Sequence, residues 1–500
     1  MRVNYSKVCR SLGEHQVKLF ELLNHVDEPT QRDLEDIDIT GVTDDSRDVK
    51  RGYMFVAVEG YNHDGHHYIN EALENGASVV VGEQQLNLSA PYIQVNDTKR
   101  ILGQMASHFY GHPSDQKIVI GVTGTNGKTT TSYMLKAVFE QNGYNCGLIG
   151  TIEYFINGES LPSKNTTPGA VTLQKLLHDS QDDVVIIEIS SHALKQHRVA
   201  GVQLDEAIFT NLDSEHLDYH NSMQEYFESK FQIFNLLKEN GYALLNSDDK
   251  WCRQAIEQLR DSKINVHTVG IKEENDVQIF EHHQNLHVKG ATSNELLELK
   301  MPGLHNRYNA AFGLLTSEIF NLNRNESIQA LNHVENIRGR FEIVYFPGNK
   351  KVVVDYAHTP KGFYHCLNTI RECGARRIIH VFGFRGARDP SKRLSMMKQS
   401  IEVSDYYILT FDDLNDTPEN DMEQTLNQFH NQFGNNKGEV VTDRTLAIER
   451  AIELAGDGDW VVITGKGHES FKHDFKWGTK SDLETVEKVL EHVQTATRLS

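Results

Sequence analysis

The sequence predicts an α/β protein of three domains, two of which are built on parallel sheets. Its 500 residues correspond to about three domains of ordinary size. Two separate series of β-branched runs alternate with helical patterns, as strands buried in parallel sheets do. A glycine-rich turn follows the first of these runs. We expect domains at 1–113, 114–337 and 338–500, with a hinge at Asn336–Arg340 between the last two.

The expected elements follow in order along these domains. The N-terminal region is mixed, with strands at Met54–Val58 and Ala77–Val81 and a helix at Tyr68–Asn75. The central series has three strands, at Lys117–Ile120, Val184–Ile187 and Ala207–Thr210. The last series has four, at Val352–Asp355, Ile378–Phe382, Tyr406–Thr410 and Trp460–Thr464.

Composition narrows the class of protein. A formal net charge of -20 argues against a general nucleic-acid-binding protein, which usually has a basic surface. The five cysteines are scattered and form no Cys-x-x-Cys pair, which favours a reducing compartment. No stretch is apolar enough for a signal peptide or a membrane span, so we expect a cytoplasmic protein that binds neither nucleic acid nor membrane.

The most informative local pattern is Gly-Val-Thr-Gly-Thr-Asn-Gly-Lys-Thr-Thr at 121–130, between a strand and a helix start. Glycines let backbone N–H groups approach phosphates, Lys128 can reach the β- and γ-phosphates, and the hydroxyl of Thr129 or Thr130 can bind magnesium. Val122 stands where the strict P-loop motif has its first glycine. A turn that binds nothing is disfavoured because Gly-Lys-Thr-Thr is in register with the helix start. The predicted nucleotide-binding residues are Gly124, Thr125, Asn126, Gly127, Lys128, Thr129 and Thr130.

Polar side chains recur where the predicted strands end. Glu188 and Asn211 follow central strands, and Asp355, Asp412 and Gly465 follow strands of the last series. Any one of them could be a helix cap or a solvated loop. Ligands of open α/β sheets bind at the carboxyl ends of strands, so the recurrence predicts a cleft between two sheets.

Eight short motifs occur in a fixed order along the chain. They are Gly-Thr-Asn-Gly-Lys-Thr-Thr (124–130), Asn-Thr-Thr-Pro (165–168), Glu-Ile-Ser-Ser-His (188–192), His-Leu-Asp-Tyr-His (216–220), Lys230, Gly-Arg (339–340), Asp-Tyr-Ala-His-Thr-Pro (355–360) and Gly-Lys-Gly-His-Glu (465–469). The ordered set resembles the Mur ligases and, among them, the UDP-N-acetylmuramoyl-tripeptide synthetases (MurE). The resemblance implies a mixed α/β UDP-binding domain, a central P-loop ATPase-like domain and a C-terminal Rossmann-like domain that binds the incoming amino acid.

The resemblance also implies a reaction. An ATP-dependent ligase of this kind joins a third amino acid, usually a diamino acid, to UDP-MurNAc-L-Ala-D-Glu through an acyl phosphate, in peptidoglycan precursor synthesis. It implies a monomer that uses ATP and two Mg²⁺ ions, with carbon dioxide bound as a carbamate on Lys230. The residues implied in catalysis are Lys128, Glu188, His216 and Lys230, and those implied in magnesium binding are Thr130, Glu188, His216 and the Lys230 carbamate.

Substrate positions carry over in the same way. The resemblance implies a uridine contact at Ser46 and adenine or ribose contacts at Asn309, Arg340 and Asp355. The implied contacts to the muramoyl-peptide are Thr166, Thr167, Ser190, Gln196 and Arg198.

The amino-acid pocket departs from the family pattern. Members that use meso-diaminopimelate carry Asp-Asn-Pro-Arg, whereas this chain has Asp412-Asp413-Leu414-Asn415, so the arginine for a distal carboxylate is replaced by Asn415. Asp412 or Asp413 would instead suit the distal ammonium of lysine or ornithine. The loop 383–389 reads Gly-Phe-Arg-Gly-Ala-Arg-Asp, where Arg385 is a possible new cation. Arg388 is expected to bind the α-carboxylate, and Gly465 and Glu469 the ammonium end.

Other functions remain open from the sequence. The altered loops favour a paralogous ligase that joins an amino acid to a different acceptor outside the cell wall. A catalytically inactive scaffold is least favoured, because Lys128, Glu188, His216, Lys230 and Asp355 are all present. The N-terminal Asp-Ser-Arg motif at 45–47 argues against a folylpolyglutamate synthetase.

Overall fold

A computed structural model describes residues 16–23, 37–60, 63–217, 219–280, 285–288, 295–434 and 436–499. Asp218 of the His-Leu-Asp-Tyr-His motif and the first 15 residues of the expected N-terminal domain lie outside these ranges. Three sheets of four or more strands dominate the described chain, together with one short two-stranded sheet. None of its helices is both long and apolar enough to cross a membrane.

The N-terminal region forms a four-stranded parallel sheet in the order β3-β4-β5-β6, beside the antiparallel pair β1-β2. The expected strands and helix are confirmed to within two residues. The elements are β1 Val17–Lys18, α1 Leu19–Leu23, β2 Asp38–Ile39, β3 Gly41–Thr43, β4 Tyr53–Val56, α2 Ile69–Glu74, β5 Ala77–Gly82, β6 Tyr92–Gln94 and α3 Thr98–Phe109. Short 3-10 helices lie at Ser46–Asp48, Gly65–Tyr68 and Pro113–Gln116.

The central sheet has eleven described strands, in the order β10-β9-β8-β11-β7-β12-β13-β14-β15-β16-β17. The elements are β7 Ile118–Thr123, α4 Lys128–Gln141, β8 Cys146–Ile149, β9 Glu153–Ile156, β10 Glu159–Pro162, α5 Ala170–Asp179, β11 Val184–Glu188, α6 Ser191–Lys195, β12 Leu204–Phe209, α7 Met223–Phe231, β13 Leu237–Asn246, α8 Lys250–Leu259, β14 Asn265–Gly270, β15 Val277–Ile279, β16 Asn285–Val288, β17 Glu295–Leu296, α9 Leu304–Ile319 and α10 Arg324–His333, with a 3-10 helix at Gln232–Leu236. The seven neighbouring strands from β8 to β15 are parallel, and β7, β11 and β12 among them confirm the three predicted strands. Antiparallel strands extend the sheet at both edges, which the sequence pattern did not indicate.

The C-terminal sheet has the order β18-β19-β23-β20-β21-β22. The elements are β18 Glu342–Phe346, β19 Lys350–Asp355, α11 Pro360–Glu372, β20 Ile378–Phe382, α12 Arg393–Val403, β21 Tyr406–Leu409, α13 Glu419–Phe433, β22 Gly438–Val440, α14 Arg444–Leu454, β23 Trp460–Thr464 and α15 Asp482–Leu499, with a 3-10 helix at Pro390–Lys392. Only the edge strand β18 is antiparallel to its neighbour. The four predicted strands are confirmed.

Strand order explains where the functional loops meet. The apolar strand β7 lies between β11 and β12, so the loops that follow these two strands flank the glycine-rich turn. In the C-terminal sheet, β19, β23, β20 and β21 are consecutive neighbours. The loops after them therefore converge at one edge, as open α/β sheets require of a binding cleft.

Candidate active site

The glycine-rich turn is packed too closely for side chains at two of its positions. Gly124 has φ +144°, and a Cβ atom there would lie 2.0 Å from Oγ1 of Thr210. Gly127 precedes helix α4 with φ +86°, and a Cβ atom there would lie 2.7 Å from Oδ1 of Asn309. Asn309 also accepts a hydrogen bond from Oγ1 of Thr131 at 3.1 Å. This helix start offers backbone N–H groups to an anion, with Asn309 beside them.

Two lysines converge on the same carbonyl of this turn. Lys128 Nζ donates to the O atoms of Gly124 at 2.8 Å and Thr125 at 3.0 Å, and Lys230 Nζ donates to the O atom of Gly124 at 2.9 Å. Lys230 is 1% exposed. Burial, and then the charge of Lys128, hold the pKa of Lys230 well below its ordinary value. The site therefore favours the neutral amine at Lys230.

Glu188, at the end of β11, is buried and organises the hydroxyl groups beside the turn. Its Oε2 atom accepts from Thr129 Oγ1 at 2.9 Å and Thr151 Oγ1 at 2.7 Å, and its Oε1 atom accepts from the Thr151 N–H at 3.0 Å. Arg340 Nη2 donates to the same Thr129 oxygen at 3.1 Å. We expected Thr130 to bind magnesium beside Glu188. In the structure the neighbouring Thr129 contacts Glu188 instead, because adjacent helical residues point in different directions.

His216 lies in a loop with φ +58°. Burial lowers its pKa to about 4, so its imidazole is neutral near pH 7, which is the form that binds metals. Among the described residues, no three His, Cys, Asp or Glu side chains lie together as a metal site. The carboxylate of Glu188 is the oxygen donor type that Mg²⁺ prefers.

The residues expected to contact the muramoyl-peptide form one hydrogen-bonded group in the central domain. Arg198 donates from Nε and Nη2 to Oε1 of Gln196 at 3.0 and 2.6 Å, and from Nη1 to the O atom of Thr167 at 3.1 Å. Thr167 Oγ1 accepts from the N–H of Ser190 at 3.0 Å, and the Thr166 and Thr151 hydroxyls are 3.1 Å apart.

The remaining predicted contacts have local hydrogen-bond partners. Ser46 lies in the N-terminal domain, where its hydroxyl donates to Glu71 Oε2 at 2.5 Å. Asp355 at the end of β19 accepts from the N–H groups of Phe341 at 2.8 Å and Ala357 at 2.7 Å, so its carboxylate shapes two loops.

The acidic residues of the predicted amino-acid pocket are already paired with cations. Asp413 receives Lys466 Nζ at 2.5 Å and Lys472 Nζ at 3.1 Å. Asp412 is 3% exposed, and its Oδ1 atom lies 3.7 Å from Nε of Arg385. Burial raises the pKa of Asp412, but Arg385 and the other cations outweigh it and leave the pKa lowered. We expected Asp412 or Asp413 to bind a distal ammonium, but in the structure cations already neutralise both carboxylates.

The loop residues of the same pocket contact each other directly. Asn415 has φ +49°, donates from Nδ2 to the O atom of Gly386 at 2.7 Å and accepts from Lys472 Nζ at 3.1 Å. Arg388 is exposed on the neighbouring loop. A Cβ atom at Gly465, where φ is +111°, would lie 2.5 Å from Oδ2 of Asp412.

The sequence did not indicate that Thr151, Glu215 and Tyr356 belong to the site, nor that His358 contacts Glu215. His358 Nε2 lies 2.5 Å from Oε1 of Glu215, across the boundary between the central and C-terminal domains. The Tyr356 hydroxyl donates to Glu469 Oε1 at 2.9 Å, and the guanidinium of Arg340 lies 4.4 Å from the Tyr356 ring centre. Glu215 and His358 each adjoin or lie within a recognised motif, but nothing in the sequence indicated that they meet.

Three family descriptions match successive parts of the chain. The Mur ligase family catalytic domain matches residues 38–110, the Mur ligase middle domain matches 122–316, and the Mur ligase glutamate ligase domain matches 339–467. The chain belongs to the Mur ligase family and is a ligase.

Named relatives cover almost the whole chain. A UDP-N-acetylmuramoyl-L-alanyl-D-glutamate–2,6-diaminopimelate ligase of Listeria monocytogenes serotype 4b is 35% identical, over 91% of this chain and 95% of its own. The enzyme of the same name from Bacillus velezensis is 37% identical over the same shares. A solved structure of a ligase with this name superposes with a TM-score of 0.67 at 25% identity, over 96% of this chain and 99% of its own.

Proposed function

We propose that the chain joins a third amino acid to UDP-N-acetylmuramoyl-L-alanyl-D-glutamate in peptidoglycan precursor synthesis, with ATP as the energy source. The names of its relatives supply the acceptor, and the observation that carries the proposal is the convergence of two domains on one turn. Lys128, Lys230 and the pair Glu188–Thr129 come from the central domain, and Arg340 reaches Thr129 from the hinge.

The first half-reaction is attack by the acceptor carboxylate on the γ-phosphate. Both reactants are anions, so the protein contributes alignment and positive charge rather than covalent chemistry. Lys128 and Arg340 supply the charge, and the backbone of the turn holds the phosphates. Mg²⁺, when bound, neutralises the phosphate oxygens further. The products are ADP and an acyl phosphate.

We further propose that Lys230 is carbamylated. A carbamate forms when a neutral amine attacks carbon dioxide and loses a proton, which turns a side chain that is ordinarily cationic or neutral into an anionic oxygen ligand. The buried, neutral Lys230 amine beside Lys128 suits that reaction. The product anion would be attracted to the neighbouring Lys128 and would complete the oxygen ligands of the magnesium site.

In the second half-reaction, the amine of the incoming amino acid attacks the acyl phosphate and phosphate leaves. We assign the binding of this amino acid to the C-terminal domain, with Arg388 as the contact to its α-carboxylate, and the binding of the uridine to the N-terminal domain near Ser46. The domain limits 1–113, 114–337 and 338–500 remain our assignment. Because both large substrates are nucleotides, we place the enzyme in the cytoplasm.

Phosphate release by purified protein with ATP, Mg²⁺ and UDP-MurNAc-L-Ala-D-Glu tests the proposal. Release that requires both the nucleotide acceptor and an amino acid supports it, and mass spectrometry should show the acceptor extended by one residue. Protein that binds ATP but shows no turnover with this acceptor would contradict it. That outcome would favour the second candidate, a ligase for a different acceptor, which the unusual residues Phe384, Arg385 and Ala387 bring into consideration.

A further inference from the structure

Arg385 occupies the place where the ammonium end of the amino acid was expected. Its Nη2 atom donates to the O atom of Gly465 at 2.9 Å and to Oε2 of Glu469 at 2.6 Å. These are the two acceptors that the family resemblance assigns to the distal amine. An internal guanidinium of the same charge has therefore taken both of them.

The other two carboxylates of this pocket, Asp412 and Asp413, are not available to bind a distal ammonium in place of Glu469. Asp412 lies beside Arg385, and Asp413 is held by Lys466 and Lys472. The small cleft in front of Arg385 is lined by further cations, Lys392 and Arg393, against the carboxylates of Asp389 and Asp412. Counting Arg385, the lining has three cationic side chains and two carboxylates, so this cleft favours an anion over a second ammonium.

Arg385 lines this cleft, and its hydrogen bonds do not use all of its nitrogen atoms. It is fixed in position by its two bonds to the loop after β23 and lies 5.4 Å from the Tyr356 ring centre. Its Nε atom is buried and has no hydrogen-bond partner. Because Nη2 already serves Gly465 and Glu469, a substrate carboxylate would accept its hydrogen bond from another nitrogen of the guanidinium, with the charge strengthening that bond.

We propose that Arg385 is the specificity-determining residue of the pocket, and that it selects amino acids with a distal carboxylate while making a distal ammonium dispensable. The inference rests on the proposed function and specifies its amino-acid substrate class. It replaces the expectation, drawn from Asn415, that an amino acid with only a distal ammonium is preferred. The cation missing at position 415 is supplied from the loop after β20.

Four amino acids that differ in their distal groups distinguish recognition of the distal carboxylate from recognition of the distal ammonium. Meso-diaminopimelate carries both, L-2-aminopimelate only the carboxylate, L-lysine only the ammonium, and L-norleucine neither. We expect kcat/KM for L-2-aminopimelate to lie within about 10-fold of meso-diaminopimelate, and L-lysine and L-norleucine to fall at least about 100-fold lower. Preference for L-lysine, or a loss of about 100-fold when only the distal amine is removed, would overturn the proposal.

Variants of Arg385 test the assignment to this side chain. Arg385→Gln should lower kcat/KM for L-2-aminopimelate by about 100-fold and raise it for L-lysine, because Glu469 becomes free to bind an ammonium. Arg385→Lys keeps the charge and should preserve the order of preference with a loss of about 10-fold. Arg450→Gln removes a surface arginine paired with Glu439 in the same domain, and it should change neither kcat/KM nor the order of preference. An unchanged order of preference in folded Arg385→Gln protein would refute the role of Arg385.

Trapping of the acyl phosphate keeps this test separate from the proposed function. Hydroxylamine attacks the acyl phosphate and releases phosphate, which leaves a hydroxamate on the acceptor without any amino acid. Failure to form the hydroxamate would count against the proposed function itself. Hydroxamate formation together with a preference for L-lysine would count only against the role of Arg385.

Discussion

Nε2 of His358 and Oε1 of Glu215 lie 2.5 Å apart, and this contact joins the C-terminal domain to the loop that carries His216. Nδ1 of His358 lies 2.8 Å from the O atom of Tyr356. Both ring nitrogens thus lie within hydrogen-bond distance of oxygen atoms. Glu215 is 6% exposed, and although burial raises its pKa, His216 and His358 hold that pKa well below its ordinary value. The pair is a largely buried polar contact between two domains.

A double-mutant cycle should show strong coupling between these two residues. We expect Glu215→Gln and His358→Gln each to lower kcat/KM for the amino acid, and the double variant to be hardly worse than either. The coupling energy in the free energy of unfolding should be about 1–3 kcal/mol, because each single change leaves a buried group without its partner. The exposed pair Lys136–Glu140 on helix α4 is the control, with an expected coupling of about 0.3–0.5 kcal/mol. Additive effects of the first pair would show that the contact does not couple the domains.

The two adjacent threonines after Lys128 should behave differently. Thr129→Ala removes the hydroxyl that joins Glu188 to Arg340, and we expect a loss of about 100-fold in kcat/KM with a higher Mg²⁺ requirement. Thr129→Ser should restore most of the activity. Thr130→Ala is the matched control and should affect the Mg²⁺ requirement little. The reverse result, measured by Mg²⁺ titration of phosphate release, would return the metal-ligand role to Thr130.

Lys230 should carry a carbamate in the active enzyme. Carbon-13 NMR after exchange into ¹³C-bicarbonate should show one carbamate signal that Lys230→Ala lacks. Since protonation of the amine reverses the modification, signal and activity should fall together as the pH is lowered. Lys195→Ala, which changes a lysine that is 38% exposed and paired with Glu225, should leave the signal intact. Full activity in bicarbonate-free buffer with no carbamate signal would contradict the prediction.

Glu206 should make the protein less stable as the pH rises. This carboxyl group in β12 is fully buried and accepts from Thr316 Oγ1 at 2.7 Å, and burial raises its pKa to about 8. The folded state holds a proton that the unfolded state loses near pH 4.5, so stability decreases between about pH 4.5 and 8. Glu206→Gln should remove this slope in thermal unfolding measured across that range. A variant with the same slope as the parent would assign the effect to another group.

The buried pair Arg444–Asp482 should matter for stability more than surface pairs do. Arg444 donates from Nε and Nη2 to the two carboxylate oxygens of Asp482 at 2.7 and 2.8 Å, and both side chains are fully buried. Asp482→Ala leaves the guanidinium unpaired and should cost about 3 kcal/mol in the free energy of unfolding. Glu439→Ala, which breaks the exposed pair with Arg450, should cost less than about 1 kcal/mol. Similar costs in urea unfolding would contradict the difference.

Sequence patterns predicted the parts of this molecule that are determined locally. Apolar runs identified β7 and β11, and Gly-Lys-Thr-Thr identified the turn between β7 and α4, because strand periodicity and helix starts depend on neighbouring residues. The choice between Thr129 and Thr130 was beyond such reasoning, since it depends on how helix α4 is rotated against Glu188. The contact of Glu215 with His358 joins residues 143 positions apart and required the packing of two domains.

The amino-acid pocket shows the same limit for charge. Asp412 and Asp413 in the sequence indicated an acidic site, and Arg385 indicated only a possible cation. Their net effect depends on which carboxylates the cations reach. In the structure, Arg385 reaches Glu469 and lies beside Asp412, while Lys466 and Lys472 reach Asp413, so an acidic stretch becomes a neutralised one.

Tyr356 lies between the two arginines that reach the two halves of the site. The guanidinium of Arg340, which donates to Thr129, stacks on the Tyr356 ring. Arg385 also lies near this ring, and both Arg385 and the Tyr356 hydroxyl donate to Glu469. An unbroken series of contacts thus runs from the phosphate turn to the amino-acid pocket. If ATP shifts this series and thereby tightens the amino acid, the amino acid must tighten ATP by an equal factor, because binding free energies are reciprocal. The enzyme would then favour complete sets of substrates over partial ones, which would limit wasteful ATP hydrolysis when the amino acid is scarce.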